Sequence, residues 1–228
     1  MQADATPWSA RPRVAVDLDR TTADRFAGLP SEQFAASRTL LDATLSGVPN
    51  ISELAQLIDA RTASRFRREC EHLAAHLKTS WQTVMVANAA YDLTLASFAC
   101  SSAAIATPTG PVLFRNMDWW PEDLLAKASC VVSYHCNGQP TFEAAGWAAA
   151  AGIVTGISRR GFAVALNAVA GLEGTDLEGY PVLLFLRTVL EDAESYEHAV
   201  SLLTDAHLTS PALFLVCLLY TSPSPRDS

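Results

Sequence analysis

The sequence predicts an α+β fold, a mainly helical segment followed by β-hairpins and then by a late pair of helices. Three observations carry this. Apolar residues recur at helical spacing between residues 31 and 98. From residue 101 the pattern changes to short apolar and β-branched runs separated by turn-forming residues. Helical spacing returns only after those runs. Grouped strands and grouped helices argue for α+β rather than for an alternating, doubly wound parallel sheet.

The elements follow in order. Arg13 to Leu18 is a short β-branched run, read as a strand. Residues 31–46, residues 51–77 and Trp81 to Phe98 read as helices. In the second, Ile51, Leu54, Leu57 and Ile58, then Phe66, Cys70, Leu73 and Leu77, fall on one helical face, and Pro49-Asn50 marks its start. Ser101 to Thr107 and Val112 to Asp118 read as strands around the turn-rich Pro108-Thr109-Gly110. A three-residue loop there pairs Thr107 with Pro111, and the register then sets Cys100 opposite Asp118. Val131 to His135 and Thr141 to Ala145 flank Asn137-Gly138, a strong hairpin signal because both residues tolerate positive φ. Gly152 to Ile157 and Phe162 to Asn167 flank a second hairpin turn at 158–161. Tyr180 to Asp192 and Ser195 to Asp205 read as helices, the first buried through Leu183, Leu184, Leu186, Val189 and Leu190. Leu213 to Val216 opens a last strand.

Composition narrows the function classes. A chain of 228 residues allows one large domain or two small ones. The net charge of −8, without a Lys/Arg cluster, argues against a nucleic-acid partner. No 18-residue apolar run is present, so no stable membrane insertion is expected. Met1 to Pro12 lacks a charged stretch followed by an apolar one, so no signal peptide is read and a cytoplasmic location is expected. The five cysteines, Cys70, Cys100, Cys130, Cys136 and Cys217, contain no C-x-x-C pair, which suits a reducing compartment. Cys130 and Cys136 read as buried thiols rather than as a disulfide.

Cys100 is the candidate nucleophile. It stands at a helix-to-strand junction, with Arg115 and Asp118 shortly downstream. The pair of motifs Cys100-Ser101-Ser102 and Arg115-Asn116-Met117-Asp118-Trp119 resembles the N-terminal-nucleophile amidases of the acid ceramidase, N-acylethanolamine acid amidase and choloylglycine (bile-salt) hydrolase group. The resemblance runs from about Arg13 to Val216. Val16-Asp17-Leu18-Asp19 is similar to the family's opening strand, and Arg187-Thr188-Val189-Leu190-Glu191 with Ser195-Tyr196-Glu197 to its late helix pair. It implies an αββα four-layer sandwich preceded by a helical, propeptide-like segment. It also implies autocatalytic cleavage between Ala99 and Cys100, leaving an α-chain-like segment, 1–99, and a β-chain, 100–216.

The chemistry implied is hydrolysis of a small-molecule N-acyl amide of the N-acylethanolamine, ceramide or bile-salt type. The freed α-amine of Cys100 titrates near the thiol, so one residue supplies both nucleophile and base. By resemblance Asp118 orients the amine, Arg115 assists the thiolate or the substrate, and Asn167 contacts substrate. On the residues alone Asn167 reads equally well as a turn cap. In a regular strand Arg115 and Asp118 point to opposite faces, so both reach one site only through a bulge or at the strand end. No metal or cofactor is called for. An acyltransferase on the same scaffold, or a non-catalytic binding relative, are the alternatives.

Three further features stand apart. Residues 217–227, Cys-Leu-Leu-Tyr-Thr-Ser-Pro-Ser-Pro-Arg-Asp, resemble a translated sequencing-library adapter, so 217–228 is set apart from the fold. The family's oxyanion-hole Gly-Gly-Asn segment and a later Arg are not in the sequence, and oxyanion donors contribute about 3 kcal/mol to catalysis. The chain as given is therefore expected to be inactive. Asp17-Leu18-Asp19-Arg20-Thr21 resembles the D-x-D-x-T strand end of haloacid-dehalogenase-type phosphatases, but the Gly-Asp-x-x-x-Asp pair of that group is missing and the β-hairpin run does not suit its fold. His72 and His76 have zinc-ligand spacing on a helix without a third ligand, and read as a solvated face.

Overall fold

A computed structural model describes residues 10–20, 22–26, 28–93, 98–108, 110–169 and 174–218. Residues 219–228, most of the adapter-like run, lie outside them. The chain starts with β1 (Arg13–Asp17). Then come α1 (Thr22–Arg25), α2 (Ser31–Thr44), α3 (Ile51–Arg61), α4 (Arg67–Leu77), α5 (Trp81–Ala87) and α6 (Ala90–Leu93). The strands β2 (Phe98–Thr107) and β3 (Gly110–Trp119) form a two-stranded sheet of their own. After α7 (Glu122–Ala128) come β4 (Ser129–Cys136), β5 (Gln139–Trp147), β6 (Thr155–Ser158) and β7 (Phe162–Ala168). The helices α8 (Val182–Asp192) and α9 (Tyr196–Thr204) precede β8 (Ala212–Leu218).

The larger sheet has six strands in the order β1-β4-β5-β6-β7-β8. Only β1 and β4 run parallel; the other pairs are antiparallel. The α+β class therefore holds, with helices, a six-stranded sheet and a two-stranded sheet packed together. Register explains which face is buried. Val14, Val132, Ala144, Gly156 and Val164 lie in one row across the sheet, and Val16, Tyr134, Phe142, Ser158 and Phe162 in the next row on the same side. All are buried or backbone-only, and α8 covers this face. At Gly156 the sheet packs closely on α8, and a Cβ would meet the end of the Leu190 side chain. The β2–β3 hairpin packs on the opposite face, over β7.

The Asn137-Gly138 hairpin forms as expected: φ is 52° and 70° at these residues, and Cys136 pairs with Gln139. The turn at 159–161 closes on Gly161 at φ 90°, with Ser158 paired to Phe162.

Several expectations change. The helix over 51–77 is two helices, because Ala63 and Ser64 turn left-handed (φ 48° and 57°) and Ser64 N–H bonds back to Asp59 O. The helix over Trp81–Phe98 ends at Ala87. Asn88 donates its side-chain amide to Val84 O and accepts from Gly152 N–H, which ties this turn to the later part of the chain. After the short α6, Phe98 to Cys100 already belong to β2, so Cys100 is inside a strand rather than at its threshold. The β2–β3 ladder begins one residue earlier than expected, because Gly110 at φ 117° is itself paired with Thr107. That shifts the register by one: Cys100 faces Met117, and Asp118 faces Ala99. Finally, β8 continues through Cys217 and Leu218, paired with Ala163 and Phe162, past the expected boundary at Val216.

The helical segment and the sheet are joined by a buried charge cluster. Arg187 of α8, 1% exposed, reaches Glu69 of α4 at 3.4 Å, Glu191 at 2.5 Å and the carbonyl of Ala151 at 3.1 Å. Its guanidinium also sits 4.2 Å over the Tyr134 ring. Arg25 closes the cluster by pairing with Glu69 at 2.9 Å. Burial alone would lower the Arg187 pKa, but Glu69, Tyr134 and Glu191 outweigh it and the net shift is upward.

Candidate active site

The one-residue register shift decides the site. Along β3, side chains alternate between faces, so Arg115, Met117 and Trp119 share the face of Cys100, and Asn116 and Asp118 point away. Arg115 and Trp119 flank Met117, which sits directly opposite Cys100. Both are diagonal neighbours of the thiol, a separation that long side chains span. Arg115 Nη2 lies 3.3 Å from Cys100 Sγ, and Trp119 Nε1 lies 3.2 Å from it. Two donors thus converge on one sulfur.

Arg115 is held from behind: Nε and Nη2 donate to Leu166 O at 3.2 and 3.1 Å. Burial pushes its pKa below the ordinary value, against the raising effects of Cys100 and Asp118. Asp118 is exposed and accepts from Asn116 Nδ2 at 2.7 Å. It does not touch the thiol, and the expected Cys100–Asp118 pairing is corrected to Ala99–Asp118. Ala99, on the N-terminal side of the expected cleavage bond, is exposed. Asn167, at the end of β7, donates Nδ2 to Ser102 Oγ at 2.7 Å. Its Oδ1 is buried without a hydrogen-bond partner among the described residues, an acceptor left open beside the site.

Sequence reasoning missed Trp119 as a partner of the thiol, Ser102 as a partner of Asn167, and the cavity beside them. The cavity has a volume of about 80 Å3 and opens to solvent. Its wall is apolar, with Leu40 and Leu41 of α2, Val84 of α5, Leu125 of α7, and Trp119 and Trp147. It lies where the helical segment meets the rest of the chain, and one wall is the indole that reaches Cys100. Trp119 packs between Tyr91 and Trp147, with ring centroids 6.1 and 5.9 Å away. Tyr91 donates its hydroxyl to Pro211 O at 2.6 Å, and burial raises its pKa to about 12. The i, i+4 spacing of Arg115 and Trp119 is visible in the sequence, but its meaning requires the register.

The other cysteines differ. Cys70 is buried against Met85, with its pKa raised by burial, and Cys130 is likewise pushed up to about 12. Cys136 is partly exposed, 3.2 Å from the Asp19 carboxylate that raises its pKa. That contact also accounts for Asp19, which holds the β4–β5 turn. Asp17 pairs with Arg20 at 3.3 Å. His76 stacks on Phe34 at 4.7 Å. Among the described residues no three His, Cys, Asp or Glu side chains are grouped to hold a metal. No helix among them is long and apolar enough to cross a membrane.

Comparison with known proteins shows what the chain is similar to. The family model of acyl-coenzyme A:6-aminopenicillanic acid acyl-transferase matches residues 105–216, a span that contains Arg115, Asp118 and Asn167. An N-acylethanolamine-hydrolyzing acid amidase of Cavia porcellus is 27% identical over 94% of this chain and 63% of its own length. One of Caenorhabditis elegans is 25% identical over 71% of this chain and 50% of its own. The chain is thus similar to these N-terminal-nucleophile-type amidases and acyl-transferases over much of its length. It spans about half to just under two thirds of the curated amidases it matches. A solved structure of the C. elegans N-acylethanolamine-hydrolyzing acid amidase ortholog aligns with a TM-score of 0.38 at 21% identity, over 54% of each chain.

Proposed function

We propose that this protein is an N-terminal-nucleophile amidase that hydrolyses the amide bond of N-acyl amides with an apolar acyl chain, using Cys100 as nucleophile. The observation that carries the reading is the convergence of Arg115 and Trp119 on Cys100 Sγ, with the Trp119 ring also lining an apolar cavity. Cleavage of the Ala99–Cys100 bond frees the Cys100 α-amine, which takes the thiol proton. The thiolate attacks the acyl carbon, the C–N bond breaks, and the amine leaves with that proton. Water then hydrolyses the thioester, restoring the thiol and releasing the carboxylic acid. Arg115 supports the thiolate, and the open Oδ1 of Asn167 accepts from the substrate N–H or headgroup. Asp118, next to Ala99 in register, orients the freed amine. The relatives' names favour an N-acylethanolamine as substrate; a ceramide or a bile-salt conjugate shares the same amide chemistry.

The test is intact mass and amide hydrolysis of the purified full-length protein. Two fragments joining at Ala99/Cys100, with hydrolysis of N-acylethanolamine lost in Cys100→Ala, are expected. Hydrolysis by an uncut chain would overturn the role of the Cys100 amine. A second reading, acyl transfer to an amine acceptor, is favoured by the acyl-transferase name of the matching family model. Adding amines to the assay separates the two, since transfer yields a new amide in place of the free acid.

A further inference from the structure

We infer that Trp119 is a positioning residue, with its indole N–H holding the Cys100 sulfur and its ring face guiding the acyl group to it. This rests on the amidase reading and adds a residue to it. The geometry has three independent parts. Nε1 is 3.2 Å from Sγ, on the side of the sulfur opposite in register to Arg115, so the thiol is bracketed along the strand. The same ring forms part of the apolar cavity wall. Tyr91 and Trp147 pack on it, which fixes where its N–H points. Arg115 lies 5.8 Å from the ring, so the two donors also constrain each other.

An indole N–H is a donor only, so it favours sulfur carrying negative charge over a neutral thiol. Loss of that donor withdraws stabilisation from the attacking thiolate. Loss of the ring instead widens the cavity beside the nucleophile and lets the acyl carbon arrive in many orientations, which degrades a near-attack geometry. Removing the N–H alone and removing the whole ring therefore have different signatures. Trp119→Phe lowers kcat and leaves KM for a long-chain amide nearly unchanged. Trp119→Ala raises KM as well, most for long acyl chains.

The deciding experiment measures the rate at which iodoacetamide alkylates Cys100, by peptide mass spectrometry, alongside hydrolysis of long- and short-chain N-acylethanolamines. The proteins are wild type, Trp119→Phe, Trp119→Ala and Trp81→Phe, which removes an indole on α5 away from the site. Alkylation of Cys100 is expected to slow about tenfold in Trp119→Phe, the scale of one hydrogen bond to a charged group, and not in Trp81→Phe. Should Trp119→Phe fold poorly, benzothienylalanine at position 119 keeps the ring shape and lacks the N–H, and the same slowing is expected. An unchanged alkylation rate in a folded protein lacking the N–H overturns the inference. Slowed alkylation in a protein that hydrolyses no amide upholds the positioning role and overturns the amidase reading instead.

Discussion

Arg115 lies 3.3 Å from the Cys100 sulfur although its direct cross-strand partner is Ser102. The contact is diagonal, and it exists because Cys100 pairs with Met117 and not with Asp118. A loop longer by one residue would have turned Arg115 and Trp119 away and brought Asp118 in, since a one-residue slip exchanges the two faces of a strand. The active-site candidate is thus a property of the Thr107–Gly110 pairing that closes the hairpin as much as of the residues themselves.

Arg115 is predicted to need its planar shape as well as its charge. It bridges Sγ and the carbonyl of Leu166 together, and a lysine ammonium has no fork with which to span both. Arg115→Lys should slow Cys100 alkylation several-fold and lower hydrolysis further, with Arg115→Met lower still. Equal rates for arginine and lysine enzymes in a side-by-side assay would show that charge alone suffices.

Arg187 is predicted to be the most damaging single substitution in the helix–sheet contact. Arg187→Ala leaves Glu69 with Arg25 and Glu191 with Arg65 as remaining partners, and removes the buried cation over Tyr134. Breaking a buried pair costs about 3–5 kcal/mol when the charge left behind is uncompensated, and the remaining arginines set the loss here at or below the lower end of that range. Chemical denaturation should show that loss. The variant Arg187→Met, which keeps apolar volume under Tyr134 and leaves the Arg25–Glu69 pair in place, should lose less than Arg187→Ala. Full stability in Arg187→Ala would mean the cluster is dispensable.

Asp92 sets a pH dependence of stability. Its buried carboxylate faces Val182 N–H at 3.2 Å, and burial lifts its pKa to about 7, against the lowering effects of Val182 and Ser210. The pKa is raised on folding, so the unfolded chain ionises first as pH rises. Stability is highest below pH 4 in this respect and falls between about pH 4 and pH 7, by up to about 4 kcal/mol for a shift of that size. Asp92→Asn should flatten that part of a melting-temperature profile. A wild-type and variant profile of the same slope over this range would exclude Asp92 as its source.

Gly156→Ala should destabilise by about 1–3 kcal/mol, the usual cost of overpacking, because the added methyl meets the Leu190 side chain of α8. Gly146→Ala, on the neighbouring strand with open space around it, should be near neutral. Thermal melts of the two variants test the placement of α8 over the sheet; a reversed order would put the helix elsewhere.

Part of the fold and of the site is legible in the residues alone. Asn137-Gly138 announces its hairpin because both residues accept positive φ locally. The Cys100 and Arg115–Trp119 motifs mark the candidate nucleophile and its neighbourhood. The helix break at Ala63-Ser64 is not legible, since both are ordinary helix residues and only the bond from Ser64 N–H to Asp59 O reveals the left-handed turn. Nor is the end of α5 at Asn88, which is decided by a hydrogen bond to Gly152, 64 residues away.

By itself the sequence determined the α+β class, the hairpin turns with positive-φ residues, and the identity of the thiol and its cationic neighbour. These depend on local backbone preference and on motif chemistry. Only the tertiary structure decided that Gly110 belongs to the ladder, that Trp119 rather than Asp118 reaches Cys100, and that an apolar cavity opens beside that indole. The physical reason is that strand register and cavity shape are set by contacts between residues distant in sequence, and a shift of one residue exchanges which side chains meet.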